Sequence, residues 1–242
     1  MALIAENYTP LKLWATPIVE YNIEFTEEEN QLIEKFNDDA FIEKHNATID
    51  GPEKNFRLAW MGYNILNRNP EFQSIAKTVV ELSFHYLRDV WNQNIPDDLA
   101  LTISDSWIVK VGGDSNFNEP NYFRNHNHAG ALLTGIIYLD DSSHGTVIKN
   151  PQYDFPFFPF VWKPLVDDPW RKSEYISESK RGKVLIMPAK THHELFQTPD
   201  ESDRRSTIIF NIWPTGVISA QAGSELDVED FANCYTQADL AD

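Results

Sequence analysis

Hydrophobic periodicity changes once along this chain, and that change restricts the fold. Up to about residue 91 the strongest apolar pattern is helical. From Phe72 to Trp91, the residues Phe72, Ile75, Ala76, Val79, Val80, Leu87, Val90 and Trp91 recur at spacings of three and four, while Lys77, Glu81, His85, Arg88 and Asp89 fall between them. The Pro96 segment, IPDD, ends this helix. Beyond it the period becomes two: in LTISDSWIVKV (101–111), Leu101, Ile103, Trp107, Val109 and Val111 share one parity, as in a strand. Short runs follow at 131–139 (ALLTGIIYL), 183–188 (KVLIMP), 194–196 (ELF) and 206–213 (STIIFNIW), each rich in β-branched or aromatic residues and bounded by Gly, Pro, Asp or Ser. Helices first and strands second predict an α+β, mainly β, single domain whose N-terminal helices pack on an antiparallel β core.

The remaining chain fits around that division. Thr26 followed by Glu29 is a capping box, which predicts a helix over Glu27–Asn37 with Leu32, Ile33 and Phe36 inward. Ahead of it, LKLWATPIVEYNI reads as a strand interrupted by Pro17. The predicted organisation is one domain over 1–242: a strand and helices over 1–98, a β core over 99–216 with an insertion at 150–181, and an acidic C-terminal tail over 217–242. The insertion holds seven aromatics between Tyr153 and Trp170 and four prolines after Pro151, too many for a central strand. A functional lid and a loop covering its own small core both fit it.

Charge and composition exclude several classes. Lys plus Arg is 20 and Asp plus Glu is 37, so 20 − 37 gives a formal charge of −17. That balance argues against nucleic acid and anionic membranes as partners, because both are held mainly through Lys and Arg. The carboxylates concentrate between Thr26 and Lys44 and from Ser224 to Asp242, whereas Lys149, Lys163, Arg171, Lys172, Lys180 and Arg181 cluster around the insertion. Hydrophobic residues at 42% and aromatics at 13% exclude a disordered chain. The single cysteine, Cys234, excludes an intrachain disulfide framework and a Cys-rich zinc module, and it fits a reducing compartment. Without a basic-then-apolar leader or a run of 18 apolar residues, the expectation is a soluble, cytoplasmic protein.

Chemistry is carried by the histidines. His45, His85 and His144 sit beside an acidic helix, on a polar helix face and in a DDSSHG turn, and are read as structural. His126 and His128 form an H-x-H pair directly before the run at 131–139, and His192 and His193 directly follow the run at 183–188. In extended backbone, residues two apart project to one side, so His126 and His128 can reach one point while Asn127 faces away. A third imidazole from a neighbouring strand would complete one face of a metal ion. Paired strand histidines can also be plain surface residues. Twelve residues past His193, Arg205 opens RSTIIFNIW, where Arg205, Thr207, Ile209 and Asn211 share one face and Ser206, Ile208, Phe210 and Ile212 the other. A guanidinium with a hydroxyl two places on suits a carboxylate. The bland alternative is an arginine solvated in the ESDRR turn, which describes Arg204 better.

In this order, HNHAGALLTGIIYL, GKVLIMPAKTHH and RSTIIFN, the chain resembles the double-stranded β-helix Fe(II)/2-oxoglutarate-dependent oxygenases. More narrowly it resembles a group of uncharacterised oxygenases of phages and marine bacteria, whose opening strand is also similar to LWATPIVEY. The resemblance implies a jelly-roll, cupin-like core, Fe(II) as metal and 2-oxoglutarate as cosubstrate. His126, His128 and His193 match the metal-ligand positions, His193 better than His192. Arg205 matches the arginine that holds the distal carboxylate of 2-oxoglutarate, with Thr207 as its hydroxyl partner. Asn211 matches the motif's closing Asn, to which no role attaches.

Two departures stand out. The usual triad has a carboxylate where His128 stands, so either the set is three histidines or His128 lies outside it and another residue takes its place. Met187 and Ala189 flank Pro188 in place of Phe and Ser. The implied reaction is hydroxylation of a substrate, a small molecule or a peptide or protein side chain, with release of succinate and CO2. Two other readings compete: a three-histidine cupin-like dioxygenase that uses no 2-oxoglutarate, and a non-catalytic β-sandwich interaction protein.

Overall fold

A computed structural model describes residues 16–37, 65–111, 125–150, 174–196, 203–215, 218–219, 225–226 and 234–240. His45, most of the insertion and the strand ahead of Ala15 lie outside the described residues.

Among the described residues, three α-helices precede most of the strands: α1 (Glu27–Asn37), α2 (Ile65–Arg68) and α3 (Gln73–His85), the last continued by a π turn over Tyr86–Val90. The N-terminus of α1 is fixed by the predicted capping box, with the Thr26 amide donating to Glu29 Oε2 at 2.8 Å and the Glu29 amide to Thr26 Oγ1 at 3.2 Å. Strands β1 (Val19–Asn22), β6 (Lys183–Pro188), β3 (Leu133–Tyr138), β8 (Arg205–Thr215), β2 (Ala100–Val111) and β11 (Cys234–Thr236) lie in that order in a large sheet. A smaller sheet runs β5 (Glu174–Ser179), β4 (Ser142–Lys149), β7 (His193–Phe196), and β9 (Ile218–Ser219) pairs with β10 (Glu225–Leu226). Every pairing is antiparallel. From β3 onward the chain passes between the sheets, with β3, β6 and β8 in the large sheet and β4, β5 and β7 in the small one. This curled, two-sheet path is the jelly-roll, double-stranded β-helix core.

The large sheet is buried on both faces, and each face has its own core. Ile33, Phe72, Ile75, Val79 and Phe84 of the helical layer pack on Ile108, Ile137, Val184, Ile208, Phe210 and Ile212. On the opposite face Trp107, Val109, Ile136, Tyr138, Leu185, Met187 and Ile209 meet Ile148 of the small sheet. Double burial explains why ALLTGIIYL and STIIFNIW read as nearly continuous apolar runs. Gly135 lies opposite Phe210, and a Cβ there would come within 2.1 Å of that ring, so the strand can carry only glycine while Phe210 fills the core. Gly182, at φ +80, turns β5 into β6.

Several expectations are corrected. The single parity over 101–111 fails, because a β-bulge between Ile103 and Asp105 shifts the register. Leu101 and Ile103 therefore face the helices, whereas Trp107 and Val109 face the small sheet. The insertion ends earlier than residue 181, since 174–179 is β5, and β4 carries His144 in a strand instead of a turn. Within the acidic tail, β11 pairs with β2 and buries Tyr235. No helix of the described residues is long and apolar enough to cross a membrane.

Candidate metal centre and its cavity

Backbone pairing brings the histidines together. His126 and His193 form an antiparallel bridge, each amide donating to the other's carbonyl at 3.0 and 2.9 Å, so their side chains stand next to each other. The His128 amide donates to the Ala189 carbonyl at 2.8 Å, tying the H-x-H segment to the end of β6. The ring centroids are 4.4 Å apart for His126 and His193, 5.1 Å for His128 and His193, and 5.4 Å for His126 and His128. One ring nitrogen from each lies within 4.8 Å of the other two. Three nitrogens bound to one ion at about 2.1 Å are about 3.0–3.6 Å apart, so inward shifts of up to about 1 Å each close this set on a cation.

Second partners set the tautomers. His193 Nδ1–H donates to the Thr191 carbonyl at 3.0 Å, which leaves the Nε2 lone pair free for a cation. His128 Nδ1 lies 2.7 Å from Asn211 Oδ1 and 2.9 Å from Thr134 Oγ1, while the Thr134 hydroxyl donates to the Phe210 carbonyl at 3.2 Å. With that hydroxyl proton committed, His128 Nδ1 is the donor and its Nε2 is likewise open. Asn211, whose role the sequence left unassigned, thus orients His128. Burial pushes the His193 pKa down to about 3, with the neighbouring His126 adding to the effect. Burial also lowers His128, opposed in part by the bond to Asn211. Both rings are therefore neutral near pH 7, the form that binds metals.

The other described histidines stay apart. His192 is exposed and its Nε2 accepts from Asn127 Nδ2 at 2.9 Å. His85 hydrogen-bonds the Tyr21 hydroxyl at 2.8 Å, and buried His144 bonds the Asp203 carbonyl at 3.1 Å.

A cavity of about 440 Å³ opens between the two sheets, lined by all three imidazoles and by Arg205, Thr207, Ile209 and Asn211 of β8. Alternation along β8 turns these four to one side, as expected from the sequence. Arg205 is 4% exposed, which rules out the solvated-turn reading for it, whereas Arg204 is exposed. Its guanidinium donates to Thr146 Oγ1 at 2.8 Å and lies 5.3 Å from the centroid of the Tyr138 ring. The Tyr138 hydroxyl donates to the same Thr146 oxygen at 2.8 Å. Arg205 Nε is buried without a hydrogen-bond partner, and no carboxylate among the described residues pairs with the cation. Thr207 Oγ1 makes only a long 3.4 Å bond to the Val109 carbonyl. A buried, uncompensated guanidinium is costly by itself, so its arrangement suits an anion entering from the cavity. Thr134, Thr146 and Tyr138 had no signal in the sequence, because their roles depend on cross-strand register. Of the basic residues clustered around the insertion, Lys149 pairs with Glu174 and Glu194 at 2.9 and 2.6 Å.

No protein-family model matches the chain, and no curated protein matches its sequence. Solved structures do match in fold. The chain is similar to the non-heme alpha ketoglutarate dependent carbocyclase SnoK from nogalamycin biosynthesis, with a TM-score of 0.55, 14% identity, and coverage of 91% of this chain and 92% of that one. It is also similar to the non-heme alpha ketoglutarate dependent epimerase SnoN from the same biosynthesis, with a TM-score of 0.51, 12% identity, and coverage of 90% and 93%. The chain has the double-stranded β-helix fold of these two enzymes, and its imidazole cluster and buried arginine share one cavity between the sheets.

Proposed function

We propose that the protein is a non-haem Fe(II)- and 2-oxoglutarate-dependent dioxygenase that hydroxylates a substrate with release of succinate and CO2. The observation that carries this reading is Arg205: a buried cation with an orphaned Nε, opening on the cavity that holds three imidazoles. His126, His128 and His193 would hold Fe(II), and Arg205 with Thr207 would hold the distal carboxylate of 2-oxoglutarate. Bound there, Fe(II) with 2-oxoglutarate and O2 supplies oxidative decarboxylation and oxygen insertion into a C–H bond. The chain contributes orientation and dryness. Thr191 and Asn211 fix two imidazoles, Thr146 and Tyr138 hold the guanidinium, and Trp107, Val109, Ile136 and Ile209 exclude water. Placement nearest the phage and marine-bacterial group rests on the motif resemblance, and a single domain over 1–242 is supported by β1 and β11 joining one sheet. The substrate would be a small molecule or a peptide side chain, met in the cytoplasm.

The test is incubation of Fe(II)-loaded protein with 2-oxoglutarate and O2, with succinate measured. Succinate formation is expected and is lost in His193→Ala. The all-histidine triad favours one second reading, a dioxygenase that uses no 2-oxoglutarate and whose Arg205 binds a substrate carboxylate. Absence of both binding and consumption of 2-oxoglutarate would replace the first reading with the second.

A further inference from the structure

Asp105 is a cavity-lining carboxylate that the proposed chemistry does not use. It faces the cavity because the bulge between Ile103 and Asp105 reverses the strand's phase; without that bulge it would share the helix-facing side with Leu101 and Ile103. Its only hydrogen bond among the described residues is from the Ser104 hydroxyl to Oδ2, at 3.1 Å. The other lining carboxylate, Glu194, is already paired with Lys149 at 2.6 Å. Asp105 is therefore the one carboxylate of the described cavity wall without a cation. Register also places it far from the one lining guanidinium. Asp105 lies opposite Asn211 and Val111 opposite Arg205, six residues along β8 and about 20 Å of strand.

That separation gives the cavity two poles. Arg205 and Thr207 form a cationic end, and His128 lies toward the other end, where it hydrogen-bonds Asn211. Asp105 sits at the Asn211 end, followed on the same face by Trp107, whose ring centroid is 5.5 Å from that of His128. A half-buried carboxylate beside an indole suits a cationic N–H donor, since the carboxylate accepts charge-assisted hydrogen bonds and the aromatic wall tolerates a cation. We infer that the cavity end formed by Asp105 and Trp107 is a substrate subsite for a protonated amine, so the molecule acted upon carries an ammonium group. This rests on the oxygenase reading, which assigns the Arg205 end to the cosubstrate.

Three probes of one length and different charge test it: pentylamine, pentanol and pentanoate, titrated calorimetrically and anaerobically at millimolar concentration into protein loaded with Fe(II) and 2-oxoglutarate. Pentylamine is expected to bind at least tenfold more tightly than the other two, and Asp105→Asn to lose that preference while binding Fe(II) and 2-oxoglutarate as the parent does. Equal affinities, no binding of pentylamine, or an undiminished preference in the variant overturns the inference. So does a tenfold change in Fe(II) affinity with the preference kept, which would make Asp105 a charge balance for the metal. Asp105→Ser serves the same comparison if the amide variant does not fold. If Fe(II) and 2-oxoglutarate themselves fail to bind, the oxygenase reading is what has failed.

Discussion

Arg205→Met separates binding from stability at one position. In the native protein the guanidinium is buried, has one hydroxyl acceptor in Thr146, and leaves Nε without a partner. If it pairs with a carboxylate of 2-oxoglutarate, truncating it removes one member of a buried, hydrogen-bonded charge pair, a loss of about 2–5 kcal/mol. That corresponds to roughly 30-fold to several thousandfold in Kd. The ligand-free protein has the opposite interest, because the methionine side chain fills similar space with no charge to desolvate. Loss of the Thr146 bond and the Tyr138 ring contact offsets part of that gain. Ligand-free Arg205→Met should therefore unfold in urea at least as late as the parent, while calorimetry shows the collapse in 2-oxoglutarate affinity. A variant that binds 2-oxoglutarate within threefold of the parent would refute the assignment. One that is several kcal/mol less stable without ligand would show that Arg205 is structural.

Three further outcomes follow from the geometry. Asn211→Leu keeps the volume but removes the main acceptor of His128 Nδ1–H, so Fe(II) affinity should fall about 10- to 100-fold with little change in melting temperature; unchanged affinity would leave Asn211 without an orienting role. Because burial holds His193 near a pKa of about 3, well below the ordinary 6.5, the unfolded chain binds its proton first, and stability present above pH 6.5 is lost as pH falls toward 3. For the metal-free protein this group alone should remove about 1.5 kcal/mol between pH 6.5 and 5 in urea titrations, and His193→Gln should flatten the dependence; parallel curves would contradict the buried neutral ring. Gly135→Ala should cost about 3 kcal/mol through collision with Phe210, and Phe210→Leu in the same chain should recover part of it, so strictly additive losses would argue against the contact.

Much of this arrangement was readable from local chemistry. The capping box fixed the start of α1 because its hydrogen bonds span only three residues. Alternation along β8 placed Arg205, Thr207 and Asn211 on one side because strand geometry alone decides that. The motif spacing favours His193 over His192, and it is His193 that forms the backbone bridge to His126. What the sequence did not reveal depends on contacts distant along the chain. The bulge before Asp105 leaves no trace in composition, so the sequence suggests one parity for a strand whose halves face opposite ways. Strand β4 is hidden because SSHGTVIK opens with polar residues that bond Asp203 and Tyr138 across the fold. The C-terminal stretch looked like a solvated tail because its charge outweighs the short segment CYT that extends the sheet. Asn211 could be placed on the cavity face but given no role until His128 was known to lie beside it.

The central claim is that one cavity binds a metal through three imidazoles and a 2-oxo dicarboxylate through Arg205. Anaerobic calorimetric titration of 2-oxoglutarate, with and without prior saturation by Fe(II), tests it most directly. The account predicts saturable one-to-one binding that is much tighter with Fe(II) present and is lost in Arg205→Met. No binding of 2-oxoglutarate to the Fe(II)-saturated protein, or binding indifferent to both Fe(II) and Arg205, would contradict it.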